Sequence, residues 1–145
     1  REGHDLTTHV SSEIDGPDSY PGYTQWAVAD QSRFAANLPC MAGTAHLLSL
    51  MSTVESNQDW GIRKISRTGV TTAVKGGWGP VSSNTGKYVV RQLGIITTQR
   101  GQVGVSMIAV PRSGGFSDGT RMLTRMGTWL GRNVRLLPMG RCGLL

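Results

Sequence analysis

The sequence of 145 residues has no long hydrophobic run, because its longest apolar stretches, such as residues 107–110, extend over only a few positions. A membrane-spanning helix needs about 20 apolar residues, so the sequence predicts no membrane span. The first 20 residues carry five acidic side chains and no apolar run, which excludes a secretory signal among them. Because the chain begins with Arg1 instead of methionine, we interpret it as a processed chain or a piece of a longer one.

The chain also lacks the motifs that bind metals and nucleotides. Its three histidines and two cysteines show none of the ligand spacings typical of zinc sites, and it contains no phosphate-binding loop of the form G-x-x-x-x-G-K-[ST]. We therefore predict neither a metal site nor a cofactor. Cys40 and Cys142 leave two alternatives open. One is a disulfide closing a loop of about 100 residues, which suits an exported protein, and the other is a pair of buried free thiols.

Acidic residues are scarce in the second part of the chain. Residues 1–60 hold 2 basic and 8 acidic side chains, whereas residues 61–145 hold 13 basic side chains and 1 acidic one. A basic half of this kind favours an anionic partner. The basic residues are isolated apart from the pair Arg63 and Lys64, and aromatic residues do not alternate with them, so we predict no nucleic-acid partner. A small basic protein that binds another polyanion stays open as an alternative, with binding that weakens steeply as salt rises.

The apolar residues suffice for one thin core. Leu, Ile, Val and Phe together account for 32 of the 145 residues, close to the lower limit for a chain that folds. Their periodicity predicts a single partial domain of the α/β class, of the α+β type. Its expected parts are a loop over residues 1–23, a helix hairpin over 24–57, antiparallel strands over 68–111 and a C-terminal helix over 117–134.

The predicted sheet has three strands, and the final helix packs on it. We expect that helix to turn one apolar side toward the sheet, formed by Met122, Leu123, Met126, Trp129 and Leu130. Three strands with one covering helix leave a sheet face and at least one strand edge without a partner, which proteins normally avoid. The pattern therefore indicates that further strands or helices belong with this chain.

One stretch of the second part, residues 74–79, combines a strand pattern with glycines and reads VKGGWG. A strand that ends in Lys-Gly-Gly places an ammonium group beside backbone with little side-chain cover, so a ligand can lie along the strand and accept its N–H groups. Taken alone, a match of this length is usually no more than a strand turning into a loop. The order of the elements around them is more specific.

That order resembles the C-terminal half of the serine β-lactamase and penicillin-binding D,D-peptidase family, over about residues 24–134. In the family a helix hairpin precedes the strand that bears the K-[ST]-G triad, and two antiparallel strands and a C-terminal helix follow it. Lys75-Gly76-Gly77 stands where the triad belongs, and Arg91 matches the strand arginine that helps class A enzymes bind the substrate carboxylate. The resemblance implies a partial β-lactamase or transpeptidase-like fold.

The resemblance also implies roles for these residues and a class of substrate. Lys75 would hold the substrate carboxylate and tune proton transfer around the serine, and Arg91 would be a second carboxylate clamp. Gly76 and Gly77 would lie along the substrate, and the backbone N–H of Trp78 would belong to the oxyanion hole. The implied function is that of a hydrolase acting on a β-lactam or a peptidoglycan-like peptide, secreted or associated with the cell envelope.

Two departures from the family pattern change what the chain can do alone. Gly76 stands in place of the triad's hydroxyl residue, which removes a hydrogen bond to the substrate. The nucleophile motif S-x-x-K is absent, and S-x-N occurs only as Ser82-Ser83-Asn84, after Lys75, where we interpret it as a turn. We therefore predict that the isolated chain is inactive and that a missing N-terminal half of the same fold completes its site. A non-catalytic module that binds cell-wall carboxylates is the alternative.

Overall fold

The computed structural model of the chain describes residues 26–80 and 86–143. The loop predicted over residues 1–23 and the turn predicted at residues 82–84 lie outside these two segments. Within them the main elements are, in chain order, α1 (Val28–Asn37), α2 (Ala45–Ser52), β1 (Thr71–Pro80), β2 (Tyr88–Thr98), β3 (Gly101–Ala109) and α3 (Phe116–Arg132). This arrangement confirms the predicted α+β class. No helix in this part of the chain is long and apolar enough to cross a membrane.

The three strands form one antiparallel sheet in the order β1, β2, β3. The central strand β2 is separated from β3 by only two residues, Gln99 and Arg100. Thr98 pairs with Gly101 across this turn. Gly101 has a φ of 132°, a backbone conformation that residues with a side chain rarely adopt. A tight turn that requires glycine therefore sets the register between β2 and β3.

One face of the sheet packs against α3 and against the short 3-10 turn Gly61–Lys64. The larger core lies between these layers and consists of nine buried side chains: Trp60, Ile62, Val74, Val90, Ile96, Met107, Ala109, Leu123 and Val134. Strands, turn and helix all contribute to this set. The C-terminal helix therefore packs on the sheet as expected, and the 3-10 turn forms part of the same layer.

The side of α3 that faces the sheet differs from the prediction. Three of the five apolar residues expected there are exposed and form what we call the outer stripe: Met122, Met126 and Trp129. The buried residues of α3 are Gly119, Leu123 and Gly127. A Cβ on Gly119 would lie 2.4 Å from a Val90 methyl carbon, and one on Gly127 would lie 2.3 Å from the Gly61 carbonyl oxygen. The glycines thus bring α3 close to its neighbours, and the outer stripe lies about 90° further round the helix.

The opposite face of the sheet packs against α1 and α2. Helix α1 lies mainly on β3, and α2 lies on β1. A second, smaller core of buried residues separates them from the sheet: Ala35, Leu38, Met51 and Ile95. Helix α1 comes close because Gly104 has no side chain, since a Cβ there would lie 2.0 Å from the carbonyl oxygen of Ser32. The two helices therefore cover part of the face that the sequence pattern left without a partner.

Helix α2 is shorter than predicted, because it ends at Ser52 instead of continuing to residue 57. The Ser52 hydroxyl donates to the carbonyl oxygen of Leu48 at 2.8 Å, and the Thr53 hydroxyl donates to that of Ser49 at 3.1 Å. These hydroxyls bond carbonyl groups in the last turn of α2, where the helix ends. The next residues form a separate 3-10 turn at Ser56–Gln58.

A disulfide joins Cys40 to Cys142, with a Cα–Cα distance of 5.3 Å and a sequence separation of 102. Beside it, Gln102 of β3 pairs with Gly140, and its Nε2 donates to the carbonyl oxygen of Ala36 at 3.2 Å. The end of the chain is thereby fastened to the start of β3 and to the end of α1. Of the two alternatives for the cysteines, the structure contains the bridge.

Candidate functional site

β1 does not end at Lys-Gly-Gly as predicted but continues to Pro80, so Lys75 lies in the middle of a strand that is an edge strand among the described residues. Its side chain is exposed, and its Nζ donates a hydrogen bond to the carbonyl oxygen of Gly76 at 2.9 Å. The side of β1 that points away from β2 pairs with no other described strand. A ligand lying along this edge could therefore bond backbone groups of β1 within reach of an ammonium group.

Lys75, Gly77 and Arg91 share one face of the sheet. In the register of β1 and β2, Lys75 pairs with Leu93 and Gly77 pairs with Arg91. Paired residues project from the same face, and diagonal neighbours have Cα atoms about 7–8 Å apart. Gly77 leaves the space opposite Arg91 open, since a Cβ on it would meet nothing within 4 Å. The register thus places the predicted lysine and arginine at diagonal positions on adjacent strands, next to the open space at Gly77.

The N-terminus of α1 is fixed on this same face, near Arg91. Gln31 is buried, and its Nε2 donates to the carbonyl oxygen of Trp26 at 2.8 Å. Its Oε1 accepts a hydrogen bond of 2.8 Å from the hydroxyl of Ser106 on β3. Ile108, two residues beyond Ser106, pairs with Arg91. The start of α1 therefore lies against the end of the sheet that bears Arg91, which is half-buried.

Gly76 projects from the other face, where Trp60 covers it. A Cβ at position 76 would lie 2.8 Å from Trp60 Cζ2 and 2.9 Å from its Cη2, which is closer than carbon atoms pack. The Trp60 side chain belongs to the larger core and is only 6% exposed. An indole ring therefore fills the space that a serine or threonine side chain would need at position 76.

Gln92 holds Trp60 in this position, and the sequence reasoning did not identify it. Gln92 pairs with Gly76 across the sheet and is 1% exposed. Its Nε2 donates to the carbonyl oxygen of Trp60 at 2.8 Å, and its Oε1 accepts from the backbone N–H of Ile62 at 2.6 Å. Between these two residues Gly61 has a φ of 67°, and a Cβ on it would meet the Gln92 amide at 2.1 Å. The signal in the sequence that could have identified Gln92 is a polar residue within an otherwise apolar strand.

Trp78 lies on the opposite face from Lys75. Its ring centroid is 5.0 Å from that of Phe116 and 6.5 Å from that of Trp60, and the ring of Tyr88 is 6.4 Å from Phe116. These four side chains form an aromatic cluster between the ends of β1 and β2 and the start of α3. The side chain of Trp78 therefore packs in this cluster, and the predicted oxyanion role concerns its backbone N–H alone.

The start of α3, next to this cluster, is stabilised by electrostatics. A hydrogen bond from the Ser113 hydroxyl does most to hold the pKa of Asp118 below its ordinary value; burial opposes it, and the positive charge of Arg121 adds to the lowering. Asp118 lies in the first turn of α3, where a negative charge also suits the helix dipole. In the described part of the chain no three histidine, cysteine or acidic side chains are grouped so that they could hold a metal ion.

The arrangement places two cations on one sheet face, Lys75 on the edge strand β1 and the half-buried Arg91 on the central strand β2. Such a pair can bind a carboxylate by charge-assisted hydrogen bonds. The sequence contains no S-x-x-K. Comparisons with known proteins found no matching family model, no matching curated protein and no matching solved structure.

Proposed function

We propose that this chain is the C-terminal part of a serine hydrolase of the β-lactamase and D,D-peptidase type, in which it forms the carboxylate-binding wall of an acyl-transfer site. The observation that supports this most is the placement of Lys75 and Arg91 on one sheet face, on either side of the open space at Gly77. A β-lactam and a peptide with a free C-terminus both carry a carboxylate that two such cations can bind.

In the proposed reaction the N-terminal half supplies a serine hydroxyl. Its oxygen attacks the lactam or peptide carbonyl, its proton passes to the leaving nitrogen, and the C–N bond breaks to leave an acyl-serine ester. Water then hydrolyses that ester and restores the serine. Lys75 and Arg91 hold the substrate carboxylate, while the backbone N–H of Trp78 donates to the developing oxyanion. A single oxyanion-hole donor contributes about 10²–10³ in rate.

Two exposed features support the proposal that a second half of the fold packs on this chain. Beyond Gln102, which pairs with Gly140, the outer edge of β3 meets no other strand within the described residues. The outer stripe of α3 is exposed as well, and Trp129 in it is 60% accessible. An additional strand on β3 and an additional helix against the outer stripe would satisfy the backbone edge and bury the apolar side chains.

The disulfide supports the proposed location of the protein. Disulfides form and persist in oxidising compartments and are rare in the cytosol. The bridge between Cys40 and Cys142 closes a loop of about a hundred residues, for which the chain-entropy model gives a stabilisation of about 4.7 kcal/mol. We propose that the protein is secreted or associated with the cell envelope, where peptidoglycan-like substrates occur.

The test uses the product of the complete reading frame that includes this chain. We expect an S-x-x-K upstream of Arg1 and covalent labelling of that serine by a fluorescent penicillin. Lys75→Ala should lower the second-order rate constant of labelling about 10–100-fold, because a hydrogen bond to a charged group contributes about 1.5–3 kcal/mol. Arg125→Ala removes an exposed positive charge on α3 and serves as the control, with a rate within about twofold of the unchanged protein.

Two outcomes of this test would refute the proposal. One is a product that contains the S-x-x-K serine but is not labelled, and the other is equal labelling of the protein and of the Lys75→Ala variant. The isolated 145-residue chain should not hydrolyse a chromogenic cephalosporin, since its sequence lacks the S-x-x-K that supplies the nucleophile in the proposed reaction. Turnover by this chain alone would contradict the proposal of an incomplete site.

The second candidate function is a non-catalytic module that binds cell-wall carboxylates through the same two cations. The glycine at position 76 favours it, because the hydroxyl that would bond the substrate is missing there and Trp60 fills its space. A complete reading frame without S-x-x-K, together with binding of an acyl-D-Ala-D-Ala peptide that Arg91→Ala weakens, would establish this alternative. Covalent labelling by a penicillin would exclude it.

A further inference from the structure

A cleft of about 570 Å³ opens at the end of the sheet where β1 begins, and three arginines line it. Arg67 precedes β1, Arg100 lies in the turn between β2 and β3, and Arg135 follows α3. Val70, which lines the cleft, lies five residues before Lys75, a distance of about 17 Å at about 3.3 Å per strand residue. The cleft is therefore separate from the site proposed around Lys75.

The charge of this cleft is not balanced by the acidic residues that the structure describes. No acidic side chain lines it. The ion pairs found within residues 26–80 and 86–143 join Asp30 to Arg33, Asp59 to Lys64 and Asp118 to Arg121. None of the three cleft arginines takes part in those pairs. The cleft thus concentrates three positive charges that the described fold leaves uncompensated by carboxylates.

Two of the three guanidinium groups are held in place by the backbone. Arg67 donates from one terminal nitrogen to the carbonyl oxygen of Gly131 at 3.1 Å. Arg100 donates to the carbonyl oxygens of Arg135 and Leu137 at 2.6 Å and 3.0 Å. Each guanidinium has five N–H donors, so these bonds orient the groups and still leave donors for a ligand. Groups oriented in advance lose less entropy when a ligand binds.

We propose that this cleft binds an oxyanion of charge two or more, in the form of a phosphate monoester or a diphosphate group. The planar fork of arginine matches phosphate oxygens in pairs. Three cations favour a multivalent anion over a single carboxylate, which would neutralise only one of them. The volume falls within the range of about 300–1,000 Å³ that small-molecule sites occupy. The inference is independent of the proposed hydrolase function, because it uses none of that site's residues.

The variant that tests the site is Arg135→Gln. The structure describes the backbone carbonyl of Arg135 as a hydrogen-bond acceptor but no bond from its side chain, so the change removes a charge without removing a described contact. Pyrophosphate, titrated into the 145-residue chain by calorimetry at low salt, should bind at least about tenfold more weakly to this variant. Arg112→Gln removes an exposed charge beyond the other end of β3 and is the matched control, with affinity within about twofold of the unchanged chain.

A second titration with vesicles of an anionic phospholipid distinguishes the source of the phosphate. Pyrophosphate binding that Arg135→Gln weakens supports a soluble phosphorylated ligand. If the vesicles bind and Arg135→Gln weakens that binding, while pyrophosphate does not bind, the result supports a lipid headgroup in the same cleft. The proposal is overturned if neither probe binds. It is also overturned if Arg112→Gln weakens binding as much as Arg135→Gln, since binding would then depend only on the net charge of the chain. Arg100→Gln should weaken binding too, with circular dichroism used to verify that it folds.

Discussion

Adding one methyl group at position 76 tests whether Trp60 occupies the space that a side chain at this position would need. Gly76→Ala places a Cβ 2.8 Å from Trp60 Cζ2. The ring has little room to move, because Trp60 is almost fully buried and Gln92 bonds its carbonyl oxygen. The neighbouring Gly77 is a matched control in the same strand, since a Cβ there meets nothing within 4 Å.

The expected difference between the two variants follows from overpacking. Inserting a methyl group into a packed site costs about 1–3 kcal/mol in the free energy of unfolding. Replacing glycine by alanine in a strand interior gains about 0.5–1 kcal/mol. That gain is common to both positions, so it cancels when the variants are compared. We expect Gly77→Ala to stabilise the chain slightly and Gly76→Ala to be about 1–3 kcal/mol less stable than Gly77→Ala.

The assay is urea unfolding at equilibrium. It is followed by circular dichroism instead of tryptophan fluorescence, because the chain has four tryptophans and the cycle changes one of them, Trp60. A double-mutant cycle with Trp60→Leu isolates the contact: the cost of Gly76→Ala should largely disappear when the indole is absent. Equal stability of the two alanine variants would refute the reasoning, and so would a cost of Gly76→Ala that persists in the Trp60→Leu background. Either result would mean that contact with Trp60 is not the reason for a glycine at position 76.

Two further predictions concern the disulfide and the start of α3. Changing Cys40 and Cys142 to serine should lower the free energy of unfolding by about 2–5 kcal/mol, and an unchanged urea midpoint under oxidising conditions would contradict this. The pKa of Asp118 is lowered in the folded state from its ordinary value of 3.8, so its contribution to stability is present above that pH and is lost as the pH falls through the folded value. The difference in Tm between the chain and Asp118→Asn should therefore be constant at near-neutral pH and shrink below about pH 4; a difference that stays the same at about pH 3 would contradict the lowered pKa.

The strands and their order were predictable because the signals for them are local. β-Branched residues mark β2, β3 and the first half of β1, and the short connection at Gln99 and Arg100 allows only an antiparallel neighbour. The second half of β1, residues 75–80, has none, and the prediction that the strand ends at Lys-Gly-Gly was wrong. The orientation of α3 was not predictable in this way. Glycine counts as neither apolar nor polar in a periodicity, so Gly119 and Gly127 did not mark the buried side. Close packing, which depends on the neighbouring layers, decided which face of the helix turns inward.

The residues of the candidate site also divide into those whose proximity the sequence predicted and those whose proximity it did not. The lysine and the arginine lie on neighbouring strands, so antiparallel pairing was enough to bring them near each other. A glycine within a strand indicates close approach of another group, but nothing local identified that group as Trp60. The arginine cleft was hidden for a related reason, because Arg67, Arg100 and Arg135 are more than 30 positions apart from one another and read as isolated charges. Only the folded chain places them around one space.

The alternation of side chains along β1 places residues 75 and 77 on one face of the sheet and residue 76 on the other. Lys75 and Gly77 project from the face that bears Arg91, whereas Gly76 projects toward Trp60 and the core. A change at position 76 therefore alters packing on one face without disturbing the pair of cations on the other. A glycine at position 76 is consequently compatible with both proposed functions, a hydrolase and a module that only binds carboxylates. Because both candidate functions use the same binding face, the presence of an acylable serine in the rest of the protein is what distinguishes them.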